Sequence, residues 1–278
     1  MDPAILGKWI GKTETRTDRI RAEPVNFMEM TLDRAPLLGD GDILPPLWHW
    51  LYFLQSVRLG DLERDGHPTL GGFLPPVSLP RRMWAGGRLG FAAPLRIGAM
   101  ATRVSTITGV RLKDGRSGPL CFVTVRHEVS SGGVPCLWED HDIVYRNDPA
   151  PGDAPPAPPQ NGTDWEISEK IRPSEVMLFR YSALTFNGHR IHYDRDYARN
   201  VEGHGGLVVH GPLIATFLAD LAIRMGRGEP LRAFDYRAIS PIFDGQDFGL
   251  HARRTADRVE LAASRPDGGL AMRARAVF

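Results

Sequence analysis

The clearest periodic stretch of the chain follows Val208-Val209-His210-Gly211. There Leu213, Ile214, Phe217, Leu218, Leu221, Ala222 and Met225 recur at the three-to-four-residue spacing of a helix. Pro212 suits the first helical position, where a missing N–H costs nothing, and Gly226 offers a stop. Apolar residues nearly all round the cylinder predict one long, buried helix. Downstream the pattern shortens. Residues 231–239, 247–254, 258–264 and 271–278 form brief runs separated by Gly, Pro or Asp, as antiparallel strands would be. In the first half, residues 98–110, 120–130 and 134–145 read the same way. Pro46-Leu47 there opens an apolar run through Trp48, Trp50, Tyr52 and Phe53 that is expected to be helical. Each half thus reads as a helix followed by an antiparallel sheet wrapped around it, an α+β architecture.

One segment breaks the pattern. Residues 147–162 read NDPAPGDAPPAPPQNG, with six prolines in sixteen residues and no large apolar side chain. Such a composition favours extended chain and cannot build a core. It divides the protein into an N-terminal unit, 1–146, a linker, 147–162, and a C-terminal unit, 163–278. The units share motifs in the same order. Ile20-Arg21-Ala22-Glu23 matches Ile171-Arg172-Pro173-Ser174-Glu175, and Pro46-Leu47 matches Pro212-Leu213. Pro94-Leu95-Arg96-Ile97-Gly98 matches Pro241-Ile242-Phe243-Asp244-Gly245, so the three offsets are 151, 166 and 147. A duplicated fold is expected, with an insertion in the first half around residues 66–80.

Charge narrows the partners. The 278 residues carry 34 basic and 33 acidic side chains, a formal net charge of +1. No global field exists to hold nucleic acid or an anionic membrane. No apolar run approaches the ~18 residues of a membrane span. The opening MDPAILGK lacks a basic and then apolar leader, so a cytoplasmic protein is expected. Cys121 and Cys136 form no Cys-x-x-Cys pair and read as two buried free thiols.

Candidate chemistry concentrates in two places. Residues 180–194, RYSALTFNGHRIHYD, crowd amide, imidazole and aromatic groups. Ile191 and Tyr193 flank His192, so strand alternation would aim His192 away from both. A histidine in such a place is either a satisfied core residue or a working base. The second place is Val209-His210-Gly211-Pro212. A glycine at a helix start leaves backbone N–H groups free, with the positive end of the helix dipole behind them. That can hold an anion or a developing oxyanion, or it can be a plain tight turn. His189-x-x-His192 with His204 and His210 has no acidic or cysteine ligand at the usual spacing, so no metal is expected. Gly203-His204-Gly205-Gly206 lacks a P-loop ending, and no G-x-S-x-G elbow appears.

These stretches resemble a known family. Y-S-A-L-T-F-N-G-H-R-I-H-Y-D is similar to the hydratase motif of MaoC-like, (R)-specific enoyl-thioester hydratases, and V-V-H-G-P-L to the segment that opens their central helix. Gly71-Gly72-Phe73-Leu74-Pro75-Pro76-Val77 and Leu79-Pro80-Arg81-Arg82-Met83-Trp84-Ala85-Gly86-Gly87 resemble the N-terminal signature of a double hot-dog subgroup. The resemblance covers nearly the whole chain. It is strongest to 3-methylfumaryl-CoA (mesaconyl-CoA) and itaconyl-CoA hydratases, and next to mitochondrial-type 3-hydroxyacyl-thioester dehydratases. It implies a double hot dog, two antiparallel sheets each wrapping a long central helix, with a non-catalytic N-terminal unit and a catalytic C-terminal one. It further implies a hydro-lyase acting on an acyl-CoA, in which CoA is part of the substrate and no cofactor or metal takes part. A dehydratase of fatty-acid synthesis, a thioesterase and a non-catalytic thioester-binding module are the rival readings.

On this resemblance His192 falls on the catalytic histidine. Gly211 falls on the helix start that donates a backbone N–H to the thioester oxygen. Asn187 falls where many members carry an aspartate. An amide cannot take up a proton, so Asn187 is expected to orient water or the imidazole instead. At the repeat offset of 151, Asn187 and His192 correspond to Pro36 and Gly41, neither of which can do acid–base work. A dicarboxylic acyl chain would need a cation, and Arg81, Arg82, Arg88, Arg180 and Arg190 are the candidates. Trp84 and His210 are further expected substrate contacts. Trp48, Trp50, Tyr52 and Phe53 would line an acyl tunnel or fill core. Two hot dogs in one chain can pair internally, so a monomeric pseudo-dimer or a homodimer is expected.

Overall fold

The computed structural model describes residues 1–115, 118–149 and 156–278. Part of the expected linker, residues 150–155, lies outside them. Its far end is held: the Leu270 N–H donates to Pro159 O (2.7 Å) and the Asn161 N–H to Gly268 O (2.9 Å).

The N-terminal half contributes strands β1 (Thr13–Arg19), β2 (Arg81–Phe91), β3 (Met100–Gly115), β4 (Gly118–Ser131) and β5 (Val134–Arg146), with helices α1 (Pro3–Gly7) and α2 (Ala22–Thr31). The C-terminal half contributes β6 (Ile167–Ile171), β7 (Ala233–Ala238), β8 (Phe248–Arg254), β9 (Val259–Ser264) and β10 (Leu270–Val277), with helices α3 (Glu175–Leu184), α4 (Arg195–Asn200) and α5 (Gly211–Met225). The strands join edge to edge in one antiparallel sheet ordered β1-β3-β4-β5-β2-β7-β10-β9-β8-β6. The halves meet where β2 pairs with β7, from Gly86↔Arg237 to Gly90↔Ala233. Two glycines permit that seam. A Cβ at Gly86 would lie 2.5 Å from Tyr236 O, and one at Gly87 would lie 2.6 Å from the Tyr236 hydroxyl.

Helix α5 is the long buried helix that the periodicity predicts, and it packs against β7, β8, β9 and β10. Its end differs from expectation. Gly226 keeps a right-handed conformation, and glycine is needed there because a Cβ would meet the Phe278 ring at 2.3 Å. The left-handed residues come one and two positions later, at Arg227 and Gly228. No helix among the described residues is long and apolar enough to cross a membrane.

The expected long helix in the N-terminal half is corrected to a single 3₁₀ turn, Trp48–Leu51. Leu47 (φ 71°) and Phe53 (φ 57°) bracket it in the left-handed region. Four of the six residues from Trp48 to Phe53 are aromatic and lose rotamer freedom in a helix, and the Pro45-Pro46 pair ahead withholds two N–H donors. The two halves share one continuous sheet rather than keeping separate ones, and α5 and the 3₁₀ residues Trp48 and Leu51 join one core.

The internal repeat is real at its ends and fails in the middle. Ile171 closes one edge strand just before α3, and Ile20 directly follows the other just before α2. Ile43 bridges Arg96 as Val208 bridges Phe243, and Leu44 bonds Leu95 as Val209 bonds Ile242. By that register Pro46 stands opposite Gly211, and Gly41 opposite Gly206 rather than His192. The reason is an insertion. Residues 185–207 in the C-terminal half occupy the place of only 32–42 in the N-terminal half, so the segment carrying Asn187 and His192 has no N-terminal counterpart.

Candidate active site

That inserted segment is shaped by short-range bonds. Phe186 turns left-handed (φ 50°), and Asn187 Oδ1 accepts the His189 N–H at 3.0 Å. Arg190–His192 form a 3₁₀ turn, not the strand that alternation suggests. The turn is pinned to the chain leading into α5. The Val208 N–H donates to Ile191 O (2.9 Å), and His192 Nδ1–H donates to Val208 O (2.7 Å). Nδ1 is therefore the protonated nitrogen, and Nε2 is left as the basic one. The ring is buried, and Nε2 has no partner among the described residues.

Two further rings flank the imidazole. His210 stacks on it with centroids 3.6 Å apart, and His210 is itself held by Ser182 Oγ at 2.8 Å. His189 meets it edge-on at 5.4 Å. Burial, and then His210 and His189, push the His192 pKa well below the usual imidazole range. Burial likewise pushes His210 down to about 3. Both rings are neutral at neutral pH, as an unprotonated base requires.

His192, Asn187 and Gly211 all border one cavity of about 1900 Å³ that runs between the halves. The Gly211 N–H, at the first residue of α5, has no acceptor among the described residues, and a Cβ added at Gly211 would meet nothing within 4 Å. A free helix-start N–H thus opens onto the same space as the free Nε2. At the equivalent place in the N-terminal half stands Pro46, which has no N–H to offer.

A buried ionic hub lies behind the site, and sequence reasoning passed over it. Glu202 accepts from Arg81 Nε (3.1 Å) and from His189 Nε2 (3.3 Å), and His204 Nε2 lies 3.5 Å away. It couples β2 of one half to the reactive segment of the other. The residues around it read only as a glycine-rich loop. A second connection comes from the inserted loop of the first half. His67 donates from its backbone N–H and from Nδ1 to the two oxygens of Asp65 (2.9 and 2.8 Å), and its ring lies 4.3 Å from that of His189. Burial alone would raise Asp65, but the His67 hydrogen bonds outweigh it and hold the carboxyl at about 2. Asp65, His67 and His189 each bring one possible ligand atom to within 4.8 Å of the others, but both Asp65 oxygens are already occupied by His67.

The expected substrate contacts sort differently. Arg82 and Trp84 line the cavity. Arg81 also borders it but is buried and committed to Glu202. Arg88 is corrected: it is exposed and paired with Asp142 and Asp140, because the bulge between Trp84 and Gly86 shifts the register of β2 and turns Arg88 away from the face that carries Arg82 and Trp84. Arg190 is corrected as well, since it binds Asp194 and lies over the Tyr197 ring. Arg180 is an exposed residue of α3 off the cavity wall. His210 lies behind His192, off the cavity wall. Of the aromatic run, Trp50, Tyr52 and Phe53 reach the cavity while Trp48 is core.

The N-terminal half also contributes polar groups to the cavity wall. Glu139 is buried and accepts from His49 Nε2 and Trp50 Nε1, each at 3.0 Å. Burial would raise its pKa, but the His49 bond prevails and holds it at about 2. His127 and His141 stand nearby, and burial lowers both. Cys121 and Cys136 are free and buried.

Comparison with known proteins fits this geometry. The sequence profile of the hydroxyacyl-thioester dehydratase type 2 family matches residues 47–244. The mesaconyl-C(4)-CoA hydratase of Chloroflexus aurantiacus is 46% identical over 267 residues, covering 96% of this chain and 95% of that protein. The mitochondrial hydroxyacyl-thioester dehydratase type 2 of Schizosaccharomyces pombe is 27% identical over 239 residues, covering 77% and 79%. Among solved structures, a MaoC-like dehydratase from Phytophthora capsici superposes with a TM-score of 0.72 at 13% identity, over 100% of this chain and 99% of the other. A Mycobacterium tuberculosis protein described as a double hot dog gives 0.58 at 12% identity, over 96% of each chain. The two structural likenesses speak to the fold.

Proposed function

The chain belongs to the hydroxyacyl-thioester dehydratase type 2 family, and from that premise we propose that it hydrates a branched C5 dicarboxylyl-CoA, 3-methylfumaryl-CoA or its isomer itaconyl-CoA, to citramalyl-CoA. As a member of this family of hydratases and dehydratases, it is a hydro-lyase working on thioesters. One observation carries the site: the unpartnered Nε2 of a neutral His192 and the unpartnered N–H of Gly211 open onto one cavity.

The steps follow for 3-methylfumaryl-CoA. His192 Nε2 takes a proton from water as the hydroxyl oxygen bonds to the β-carbon. The electron pair of the double bond moves through the α-carbon to the thioester oxygen, forming an enolate. The Gly211 N–H, backed by the dipole of α5, donates to that oxygen. The imidazolium returns its proton to the α-carbon, and the carbonyl re-forms. No net proton is gained or lost. The Val208 carbonyl keeps Nδ1 protonated through the cycle, so Nε2 alone shuttles. Asn187 uses its Oδ1 on the His189 N–H, which leaves the amide N–H groups free to orient water. At the place equivalent to the start of α5 the N-terminal half has Pro46, and the segment carrying His192 has no counterpart there, so the reaction is assigned to the C-terminal half.

The polar groups Glu139, His127 and His141 on the wall disfavour a long alkyl chain, which would have to bury against them. The 46% identity to mesaconyl-C(4)-CoA hydratase supports the same choice. The test is a hydration assay on 3-methylfumaryl-CoA, itaconyl-CoA, crotonyl-CoA and a long trans-2-enoyl thioester. Preference for a dicarboxylyl-CoA is expected. Preference for the long chain would overturn the substrate assignment and place the enzyme in fatty-acid synthesis.

A further inference from the structure

A dicarboxylic substrate brings a second negative charge into a cavity with a mainly apolar wall, and that charge needs a partner. In 3-methylfumaryl-CoA the free carboxylate sits on the β-carbon, the carbon that receives water. Its partner must therefore stand near the His192 end of the cavity and be free of other acids.

Most arginines on or near the wall fail one of these conditions. Arg81 is neutralised by Glu202, and Arg265 by Asp267. Arg103 donates to Phe53 O and lies over the Phe53 ring. Arg146 is already engaged, and Arg237 is exposed.

Arg82 meets both. It is half-buried, lines the cavity, and has no carboxylate partner among the described residues. It lies within electrostatic reach of His67, whose ring touches that of His189, and of His141. Two residues along β2, on the same face, Trp84 packs against His141 with centroids 4.6 Å apart. Trp84 Nε1 and His141 Nε2 are both buried without a hydrogen-bond partner. A cation and two polar groups with unmet hydrogen bonds thus share one face of β2 and its partner β5, where Arg82 is opposite Tyr145.

We propose that Arg82, assisted by the Trp84 indole N–H and by His141, forms the subsite for the substrate's free carboxylate, so that the N-terminal half decides acyl-chain specificity. This rests on the dicarboxylyl reading above. It gives the N-terminal half a role of its own: it selects, and the other half reacts.

The experiment measures kcat/KM for 3-methylfumaryl-CoA and for crotonyl-CoA, which lacks the second carboxylate, on the full chain. Wild type, Arg82→Gln, Arg82→Lys and Arg237→Gln are compared by the ratio of the two values. A ratio taken on one sample is insensitive to the fraction folded. Arg82→Gln is expected to lower it about 100-fold, because a charge-assisted contact to the carboxylate is lost. Arg82→Lys should restore part of it, and Arg237→Gln should keep it within about threefold of wild type. A wild type that does not prefer 3-methylfumaryl-CoA would overturn the substrate reading and this inference together. A wild type that does prefer it, with Arg82→Gln within threefold or with Arg237→Gln falling as far, would overturn the subsite alone.

Discussion

Glu202→Ala removes one carboxylate from a site where three groups depend on it. The Glu202 side chain is 2% exposed, that of Arg81 7% and that of His189 5%. With the carboxylate gone, the Arg81 guanidinium is a buried charge whose salt-bridge partner is missing. Breaking a buried pair from one side destabilises by about 3–5 kcal/mol. At about 2–4 °C per kcal/mol for a chain of this size, the midpoint should fall by about 6–20 °C. Arg81→Met in the same background removes the stranded charge and should recover at least half of the loss. The sign with pH is also fixed. Burial opposes the charge on Glu202, but bonds from His189 and His204 and the charge of Arg81 outweigh it and hold the carboxyl far below its usual range. Its stabilisation is therefore complete above the unfolded value, near ~4.3, and is lost as pH falls toward the folded one. Thermal unfolding of wild type and Glu202→Ala between pH 3 and 8 measures both effects. The gap should be level from pH 6 to 8 and narrow below about pH 4.5. A gap under about 3 °C that does not change with pH would refute the reasoning.

Other expectations follow from the same geometry. Because burial and two neighbouring imidazoles depress His192, kcat/KM should hold level as pH falls through ~6.5 and decline only well below it; a decline centred near 6.5 would show an ordinary imidazole. The buried neutral rings of His192, His210 and His67 mean that the unfolded chain binds more protons below ~6.5, so stability should drop from there toward pH 3, as calorimetry would record. Gly211→Ala meets no atom within 4 Å and should shift the midpoint by less than about 3 °C, yet its methyl enters the space beside the oxyanion donor and should cut kcat/KM at least ~10-fold. Gly66→Ala forces a Cβ to 2.0 Å from Gly188 O at φ +87°, so a loss of at least ~2 kcal/mol in urea unfolding is expected, with activity falling as the loop leaves the reactive segment.

The sequence made some of this plain and hid the rest, for physical reasons. The buried helix α5 was legible because its apolar residues recur at helical spacing, and β7 to β10 because Gly, Pro and Asp punctuate them. Strand β1, TETRTDR, was not, since an edge strand with one face in water carries no apolar run. Nor was β2, whose glycines serve the seam with β7 and disguise the strand. The N-terminal helix was expected from an apolar run that the structure uses as core without helical spacing. His192, Asn187 and Gly211 were found through a motif. Glu202, Glu139 and the Asp65–His67 pair were not, because each gains meaning from a partner far away in the chain: Arg81 lies 121 residues before Glu202, His49 lies 90 before Glu139, and His67 meets the ring of His189. Arginine is abundant in this chain, and only the pairing pattern in three dimensions separates Arg82 from Arg88 and Arg190.

The proposed reaction depends on one base, His192, in the C-terminal half. The direct measurement is turnover of 3-methylfumaryl-CoA by His192→Ala, with folding checked by the thermal midpoint. Loss of a general acid–base typically lowers kcat by about 10²–10⁴-fold, and a fall of that size with the fold intact is the expected result. A variant that stays folded and within tenfold of wild type would contradict the account.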